Sequence, residues 1–338
     1  MYSNRLIFKT SLEDELFYLK DTILINFKHA RNGVSTSELN GGYCDRYEYV
    51  FNQHLSQEKI NYLENHDVHN YLINECSLMD IDSNFSTGII TLAEMKNLSI
   101  VSKSFRNVEV TAISTAGVRT NSSRAGDEAS YWQENGEFHF GTINIILLVN
   151  IALSKSTLME AFMTATEAKT VALNNLRIPS QYSNGYATGT GTDGLCIFSN
   201  VDSDEIVTNA GKHSKLGELI GNAVIESVMK AIGKQVWITK KSQSNALVRL
   251  NRYSLDINEF YNNLSHDKYH FIKQLQIDAK KQDNVAVTTS VLNLIDEVND
   301  SLIKKEDALL LAKKIVKENC NSYPIKKLLE YWINYFIR

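Results

Sequence analysis

The stretch GTINIILLVN, residues 141–150, indicates the fold class of this chain. Its second half is almost entirely apolar, which is typical of a strand buried on both faces of a sheet. Ser154 then caps a predicted long helix, whose repeating positions at helical spacing are Leu158, Phe162, Ala165 and Lys169. A doubly buried strand followed by a long amphipathic helix predicts an α/β or α+β domain.

Strand-like runs lie on both sides of this stretch. Upstream and downstream, short segments rich in β-branched and apolar residues predict further strands: RLIFK, TILINF, LSIVSKSF, VEVTAIST and LCIF. Two more helices are predicted, one from Ser56 to Leu72 and one from Lys215 to Gly233. We therefore predict a mixed sheet with flanking helices.

The character of the chain changes after about residue 240. Glycine is absent from Leu247 to the end, and helical patterns rich in charge take over. We predict a glycine-bearing α/β domain, residues 1–245, and an all-helical extension, residues 246–338. The last helix carries an apolar face formed by Leu328, Leu329, Trp332, Ile333, Phe336 and Ile337. This face must pack on the first domain, on a second copy of the chain or on a membrane surface. A homo-oligomer formed through these helices is one expected outcome.

Composition excludes several classes of protein. The net charge is −4 at pH 7, whereas nucleic-acid binders usually carry a strongly basic face. The four cysteines stand too far apart for a zinc or redox motif, which favours reduced thiols and no metal. The longest apolar run, Ile143 to Leu153, is too short to span a bilayer, and the first residues lack a signal-peptide pattern. We expect a cytoplasmic protein without a membrane span.

The loop ATGTGTDG, residues 187–194, contains a literal GxGxxG pattern. A dinucleotide fingerprint must follow a strand and open a helix, but here the strand LCIF comes after the glycines, which argues against NAD. Two interpretations stay open. The loop is either a tight turn that enters a strand, or a site where glycine lets backbone approach a ligand. In the second case the contacts come from Thr190, Gly191, Thr192 and Asp193.

The segment NAGKHSKLGELIG, residues 209–221, enters a predicted helix. Free N–H groups and the helix dipole at such a position favour an anion or a developing oxyanion. It is not a Walker A loop, because GK is not followed directly by Ser or Thr. Histidine is the residue type whose ordinary pKa lies near neutrality, so His213 is a candidate acid or base, with Lys215 beside it. The alternative is that His213 is a helix cap or a surface residue.

Two further segments offer binding groups. In TNSSRAGDEA, residues 120–129, Arg124 and Asp127 either form a local ion pair or leave Arg124 to donate to carbonyl groups. Asn144 in the apolar strand and Glu167 on the long helix are either satisfied core residues or supports for a site.

Seven segments in register resemble the adenosylcobinamide amidohydrolase family. They are STSELNGG, VTAISTAGV, NSSRAGD, GTINIILLVN, TATEAKTVAL, the loop from PSQYS to TGTGTDG, and NAGKHSKLGELIG. The resemblance runs from about residue 20 to residue 235 and leaves the helical extension uncovered. It implies hydrolysis of the amide that links aminopropanol to the corrin ring of adenosylcobinamide, giving adenosylcobyric acid in corrinoid salvage. It also implies no cofactor of the enzyme's own, since the corrinoid substrate carries the cobalt.

Amide hydrolysis needs an activated water or nucleophile, oxyanion donors and an acid for the leaving amine. The candidate catalytic residues are His213 as base and acid, Lys215 as oxyanion donor, Asp193 to orient His213 or water, and Thr192 or Thr190 as hydroxyl nucleophile. The candidate substrate-binding residues are Asn121, Arg124, Asp127, Asn144, Glu167, Thr190 and Gly191. The alternative function is a corrinoid-binding or regulatory protein without catalysis. A nucleotide-dependent enzyme would rest on GTGTDG and GKHS alone, and their context disagrees with it.

Overall fold

The computed structural model describes residues 5–129, 141–253, 257–262, 264 and 268–336. The chain divides into two compact units, Met1–Ile238 and Thr239–Arg338. The domain boundary that we predicted near residue 245 lies inside the second unit. Each unit has hydrophobic core clusters of its own.

The first unit contains strands and helices in irregular alternation. Its strands are β1 (Arg5–Lys9), β2 (Glu15–Leu19), β3 (Thr22–Ser35), β4 (Gly42–His54), β5 (Ser86–Thr91), β6 (Ser99–Phe105), β7 (Val108–Ala116), β8 (Ser122–Ser123), β9 (Ile143–Val149), β10 (Ala152–Leu153), β11 (Gly189–Thr190), β12 (Gly194–Asn200) and β13 (Ile206–Val207). Its α-helices are α1 (Gln57–Leu63), α2 (Val68–Leu78), α3 (Lys155–Asn175) and α4 (Lys215–Val236).

A mixed nine-stranded sheet forms the centre of this unit, which confirms the predicted fold class. Its order is β1-β2-β3-β12-β9-β7-β6, and β4 pairs with both β3 and β5. The β9–β12 and β4–β5 pairs are parallel, and the other pairs in this sheet are antiparallel. Because β9 and β12 run in the same direction, Asn144 and Gly194 lie side by side at the entrance to both strands.

Strand β9 is buried on both faces, as its sequence predicts. Ile143, Ile145 and Leu147 pack with the apolar sides of α3 and α4. Ile146 and Leu148 belong to a second cluster, which includes side chains from β2, β3 and β4. Successive side chains of a strand alternate between faces, so Asn144 shares the face of Ile146. A polar side chain therefore lies within the second apolar layer.

The helix predicted from Ser56 to Leu72 is in fact two helices, so that prediction was wrong. Ser56 does cap α1, and its side chain accepts a hydrogen bond from the N–H of Lys59. Asp67 then caps α2 by accepting from the N–H of Asn70. An Asp in the cap conformation ends the run of helical dihedrals, and the apolar spacing alone did not reveal this break.

The second unit is all-helical in its described residues, which confirms that part of the prediction. Its helices are α5 (Ala246–Leu250), α6 (Ile257–Asn262), α7 (Lys268–Asp278), α8 (Gln282–Asn299), α9 (Lys305–Asn319) and α10 (Tyr323–Phe336). The apolar face of α10 is covered inside this unit, because Leu328, Leu329, Trp332 and Ile333 are fully buried in its core. Those four side chains need none of the external surfaces that we had considered. The side chains of Phe336 and Ile337 lie outside the described residues.

Within the described part of the chain, no helix is both long and apolar enough to cross a membrane.

Candidate active site

Short β-bridges join two of the polar loops. Strand β8 pairs with β11, so that Ser122 lies opposite Thr190 and Ser123 lies opposite Gly189. The carbonyl of Ser123 also accepts a hydrogen bond of 2.9 Å from the N–H of Thr188. The loop of residues 120–129 and the loop of residues 187–194 therefore form one surface, although 57 residues separate them along the chain.

Asp193 is the centre of a hydrogen-bond network. Its Oδ1 accepts from the backbone N–H of Thr190 at 3.1 Å and from the hydroxyl of Thr190 at 2.6 Å. Its Oδ2 accepts from the ammonium of Lys169 on α3, and only 14% of the Asp193 side chain and 12% of the Lys169 side chain are exposed. Thr190 Oγ1 accepts in turn from the N–H of Thr142 at 3.1 Å. Three donors thus occupy the Asp193 carboxylate.

Two glycines of the TGTGTDG loop make room for this network. A Cβ atom on Gly189 would lie 2.3 Å from Asp193 Oδ2 and 3.0 Å from Lys169 Nζ. A Cβ atom on Gly194 would lie 2.4 Å from Asn144 Oδ1. Gly191, by contrast, borders open space. Gly189 and Gly194 therefore have no side chain because polar groups of the protein occupy that space. Of the three glycines, Gly191 is the one that leaves room for a ligand.

Asn144 is a satisfied interior residue. Its Nδ2 donates to Asn52 Oδ1 at 2.8 Å and to the carbonyl of Ile90 at 3.1 Å, and its Oδ1 accepts from the N–H of Gly194 at 3.1 Å. Asn52 Nδ2 donates to Thr115 Oγ1 at 2.9 Å, which extends the network to β7. These bonds connect β4, β5, β7 and β9 to the first residue of β12, and they fix the position of the loop that precedes it.

A cavity of about 210 Å³ lies beside these groups. It is bordered by the loop after β3, by α2, by β5 and by the TGTGTDG loop, through Thr36, Ser37, Glu38, Val68, Leu72, Gly88, Ile89, Ile90, Gly141, Asn144, Thr192, Asp193 and Gly194. Pockets that enclose drug-sized ligands measure roughly 300–1,000 Å³. This cavity is smaller than that range, so it can enclose only a small group.

The Arg124 loop is held through its backbone. Asp127 Oδ2 accepts from the N–H of Arg124 at 2.7 Å and from Ser180 Oγ at 2.5 Å. Burial alone would raise the pKa of Asp127, but hydrogen bonds from two serines and from the Arg124 backbone outweigh it, so the pKa lies below its usual value. Asn121 Oδ1 lies 3.1 Å from Thr142 Oγ1, which connects this loop to Thr190.

The His213 turn contacts a different face of α3. Ala210 donates its N–H to Glu160 at 2.9 Å and accepts from Thr164 Oγ1 at 2.8 Å, while Lys212 pairs with Glu167 at 2.5 Å. At 3.6 residues per turn, Glu160, Thr164 and Glu167 share one face of α3, and Lys169 lies roughly 200° from Glu167. The turn and the Asp193 loop are therefore held by different faces of the helix.

His213 is exposed, and within the described residues no contact joins it to Asp193. Lys215 pairs with Glu218 at 2.5 Å and lies 4.9 Å from the centre of the Phe105 ring. The structure brings together Asn121, Asn144, Thr190 and Asp193 with the Arg124 loop. A shared site that also includes His213, Lys215 and Glu167 stays a prediction.

Cysteine chemistry does not fit the cavity. All four cysteines are free thiols, and none of them lines it. Burial raises the pKa of Cys196 to about 12, so this thiol stays protonated at neutral pH and is a poor nucleophile. In the ranges that the structure describes, no group of three His, Cys, Asp or Glu side chains is placed to hold a metal ion.

The sequence of this chain matches a known protein family. The sequence profile described as adenosylcobinamide amidohydrolase matches residues 7–240. The chain belongs to the adenosylcobinamide amidohydrolase family. Every residue that lines the cavity, and every residue of the Asp193 network, lies inside the matched range. The helical extension lies almost wholly outside it.

The chain is also similar to individual known proteins. An adenosylcobinamide amidohydrolase of Methanosarcina mazei is 31% identical over 221 residues, which are 63% of this chain and 94% of that protein. An uncharacterized protein of Methanocaldococcus jannaschii is 34% identical over 230 residues, 63% of this chain and 86% of that protein. Among solved structures, the PH0078 protein of Pyrococcus horikoshii is 13% identical with a TM-score of 0.32, covering 70% of this chain and 83% of that one.

Sequence reasoning missed two residues of this family member's candidate site. Lys169 forms an ion pair with Asp193. The sequence contained one indication of this role, because Lys169 falls at a position of α3 where the helical spacing otherwise places apolar residues. Glu38 lines the cavity, and its signal was the polar segment STSELNGG, from which no residue had been selected.

Proposed function

We propose that this chain hydrolyses the aminopropanol amide of adenosylcobinamide to give adenosylcobyric acid and aminopropanol. The family match over residues 7–240 is the observation that carries this proposal. In the reaction, a water oxygen bonds to the amide carbon, the C–N bond breaks and the amine nitrogen takes a proton. Adenosylcobyric acid is an intermediate of corrinoid assembly, so this reaction would return a scavenged corrinoid to that pathway.

The cavity supports an amide substrate of this kind. It offers two carboxylates, Glu38 and Asp193, beside an apolar wall formed by Val68 and Leu72. Its volume is large enough for the aminopropanol arm, and we propose that the broad corrin ring stays outside it, towards the Arg124 loop that pairs with Gly189 and Thr190. Asn121 and Arg124 are the proposed contacts to the corrin's own amide groups.

Turnover is expected without a nucleotide or an added metal. Purified protein incubated with adenosylcobinamide should release aminopropanol and form adenosylcobyric acid, both detected by mass spectrometry. Treatment with a chelator should leave the rate unchanged, because the cobalt belongs to the substrate. Loss of turnover after chelation, restored by a divalent ion, would contradict the proposed metal-free reaction. Tight binding of the corrinoid with no product would favour the non-catalytic alternative.

His213 provides a second test within the same reaction. If it is the acid and base, His213→Ala should lower turnover by roughly 10²-fold or more. The control is His66→Ala, an exposed histidine on a different segment whose ring contacts Tyr62. A folded His213→Ala variant with unchanged turnover would remove His213 from catalysis and leave the chemistry to groups that line the cavity.

A further inference from the structure

The loop that follows β3 is fixed by many hydrogen bonds. Ser35 Oγ lies 2.9 Å from Thr87 Oγ1, and Ser37 Oγ donates to the carbonyl of Gly88 at 2.5 Å. Thr87 Oγ1 also donates to the carbonyl of Leu39 at 2.9 Å. The Asn40 amide donates to the carbonyls of Ser83 and Ser86, each at 2.7 Å. Strand β5 and the turn before it therefore hold the backbone of this loop in one conformation.

The same loop adopts backbone conformations that are costly for most residues. Asn40 has a φ of 49° and Gly42 has a φ of 76°, both in the left-handed region. A Cβ atom on Gly41 would lie 2.0 Å from the carbonyl oxygen of Ser37. A left-handed φ costs most residues with a Cβ atom roughly 1–2 kcal/mol, and glycine and asparagine accept it most readily, so the sequence of this loop matches its conformation.

Three residues of this loop line the cavity, Thr36, Ser37 and Glu38, and Glu38 is the one that carries a carboxylate. Its backbone carbonyl lies 2.9 Å from His69 Nδ1 on α2, so the main chain is held at this position too. Its side chain is exposed, and among the described residues no donor or cation contacts its carboxylate. Asp193, the other carboxylate on the cavity, already accepts three hydrogen bonds. Of the two, Glu38 is the one whose lone pairs are available to a water molecule.

We propose that Glu38 is the general base of the amide hydrolysis, an assignment that rests on the proposed function. The Glu38 carboxylate takes a proton from water, and the resulting hydroxide oxygen bonds to the amide carbon. As the C–N bond breaks, the proton passes from Glu38 to the amine nitrogen, so that Glu38 ends unprotonated. Asp193 and Lys169 act as positioning residues, since they fix the loop on the opposite side of the cavity.

Glu38→Gln tests this role because it keeps the size of the side chain and removes its basicity. We expect kcat to fall by about 10²–10⁴-fold, the range of general acid–base catalysis, with KM for adenosylcobinamide nearly unchanged. Glu38→Asp should recover part of the lost kcat. In the wild type, kcat/KM should fall as the base becomes protonated at low pH, and Glu38→Gln should lack that fall. If Glu38 had a merely structural role, its replacement would not remove the fall at low pH, and it would not lower kcat while leaving KM unchanged.

Glu64→Gln is the matched control, because Glu64 is an exposed acid at the end of α1 and does not line the cavity. It should turn over substrate at the wild-type rate. An active wild type with an equally active Glu38→Gln variant would overturn the role of Glu38 and leave the proposed function standing. An inactive wild type would overturn both. A Glu38→Gln variant that fails to fold would also count against the proposal, since it requires a side chain without structural contacts.

Discussion

Replacing Asp193 by asparagine is expected to destabilise the first unit by about 3 kcal/mol and to lower turnover by about 10²-fold. The variant amide can still accept from Thr190, but its NH₂ group faces the ammonium of Lys169, and the lysine loses its counterion. Removing one partner of a buried ion pair costs about 3–5 kcal/mol. The pair keeps 12–14% exposure, so we expect the lower end of that range. Turnover falls because a displacement of about 1 Å in a positioned group can cost 10²-fold.

A double-mutant cycle separates the two effects. Asp193→Asn combined with Lys169→Met leaves neither charge buried, so denaturant unfolding should show most of the lost stability restored. Turnover should stay low, because the cavity loop is still released from α3. Glu226→Gln is the control, since Glu226 pairs with Lys103 at 2.6 Å but both side chains are more than one-third exposed, and it should cost less than about 1 kcal/mol. A double variant no more stable than Asp193→Asn would refute the coupling.

The parts of the fold that depend on local sequence patterns could be predicted. Apart from Asn144, the residues of β9 are apolar because both faces of the strand are covered, and this pattern can be recognised without knowing which elements cover it. Ser56 and Ser154 were identifiable as helix starts because a cap acts on an N–H only three residues away. The break at Asp67 was missed because the apolar spacing continues across it.

The candidate site was only partly predictable, because its contacts are distant in sequence. The Lys169–Asp193 pair spans 24 residues, and the Asn52–Asn144 hydrogen bond spans 92. The sequence singled out the TGTGTDG loop by its glycines, but Gly189 and Gly194 make room for Asp193 and Asn144, and of the three Gly191 alone borders open space. The polar segment STSELNGG did not single out Glu38, since an exposed glutamate in a polar loop is ordinary until the structure places it on a cavity.

The hydrophobic core of the helical extension can be tested by shortening a single buried side chain. Leu328 on α10 is fully buried, in a cluster that also includes Leu275, Val291 and Trp332. Leu328→Ala removes this packing and is expected to lower the free energy of unfolding of the second unit by about 2–5 kcal/mol. Leu310→Ala makes the same change on α9 at a side chain that is 73% exposed, and it should cost no more than about 0.5 kcal/mol.

Hydrogen exchange of the α7–α10 amides is the appropriate measurement, because a chain with two units and separate cores need not unfold in one transition. We expect faster exchange in these helices for Leu328→Ala, unchanged exchange in β9 and β12, and unchanged turnover wherever the first unit stays folded. Equal exchange in the two leucine variants would show that the face of α10 is not packed in its own unit. Loss of turnover with β9 and β12 still protected would instead mean that the extension takes part in catalysis, against our prediction that it serves docking or assembly.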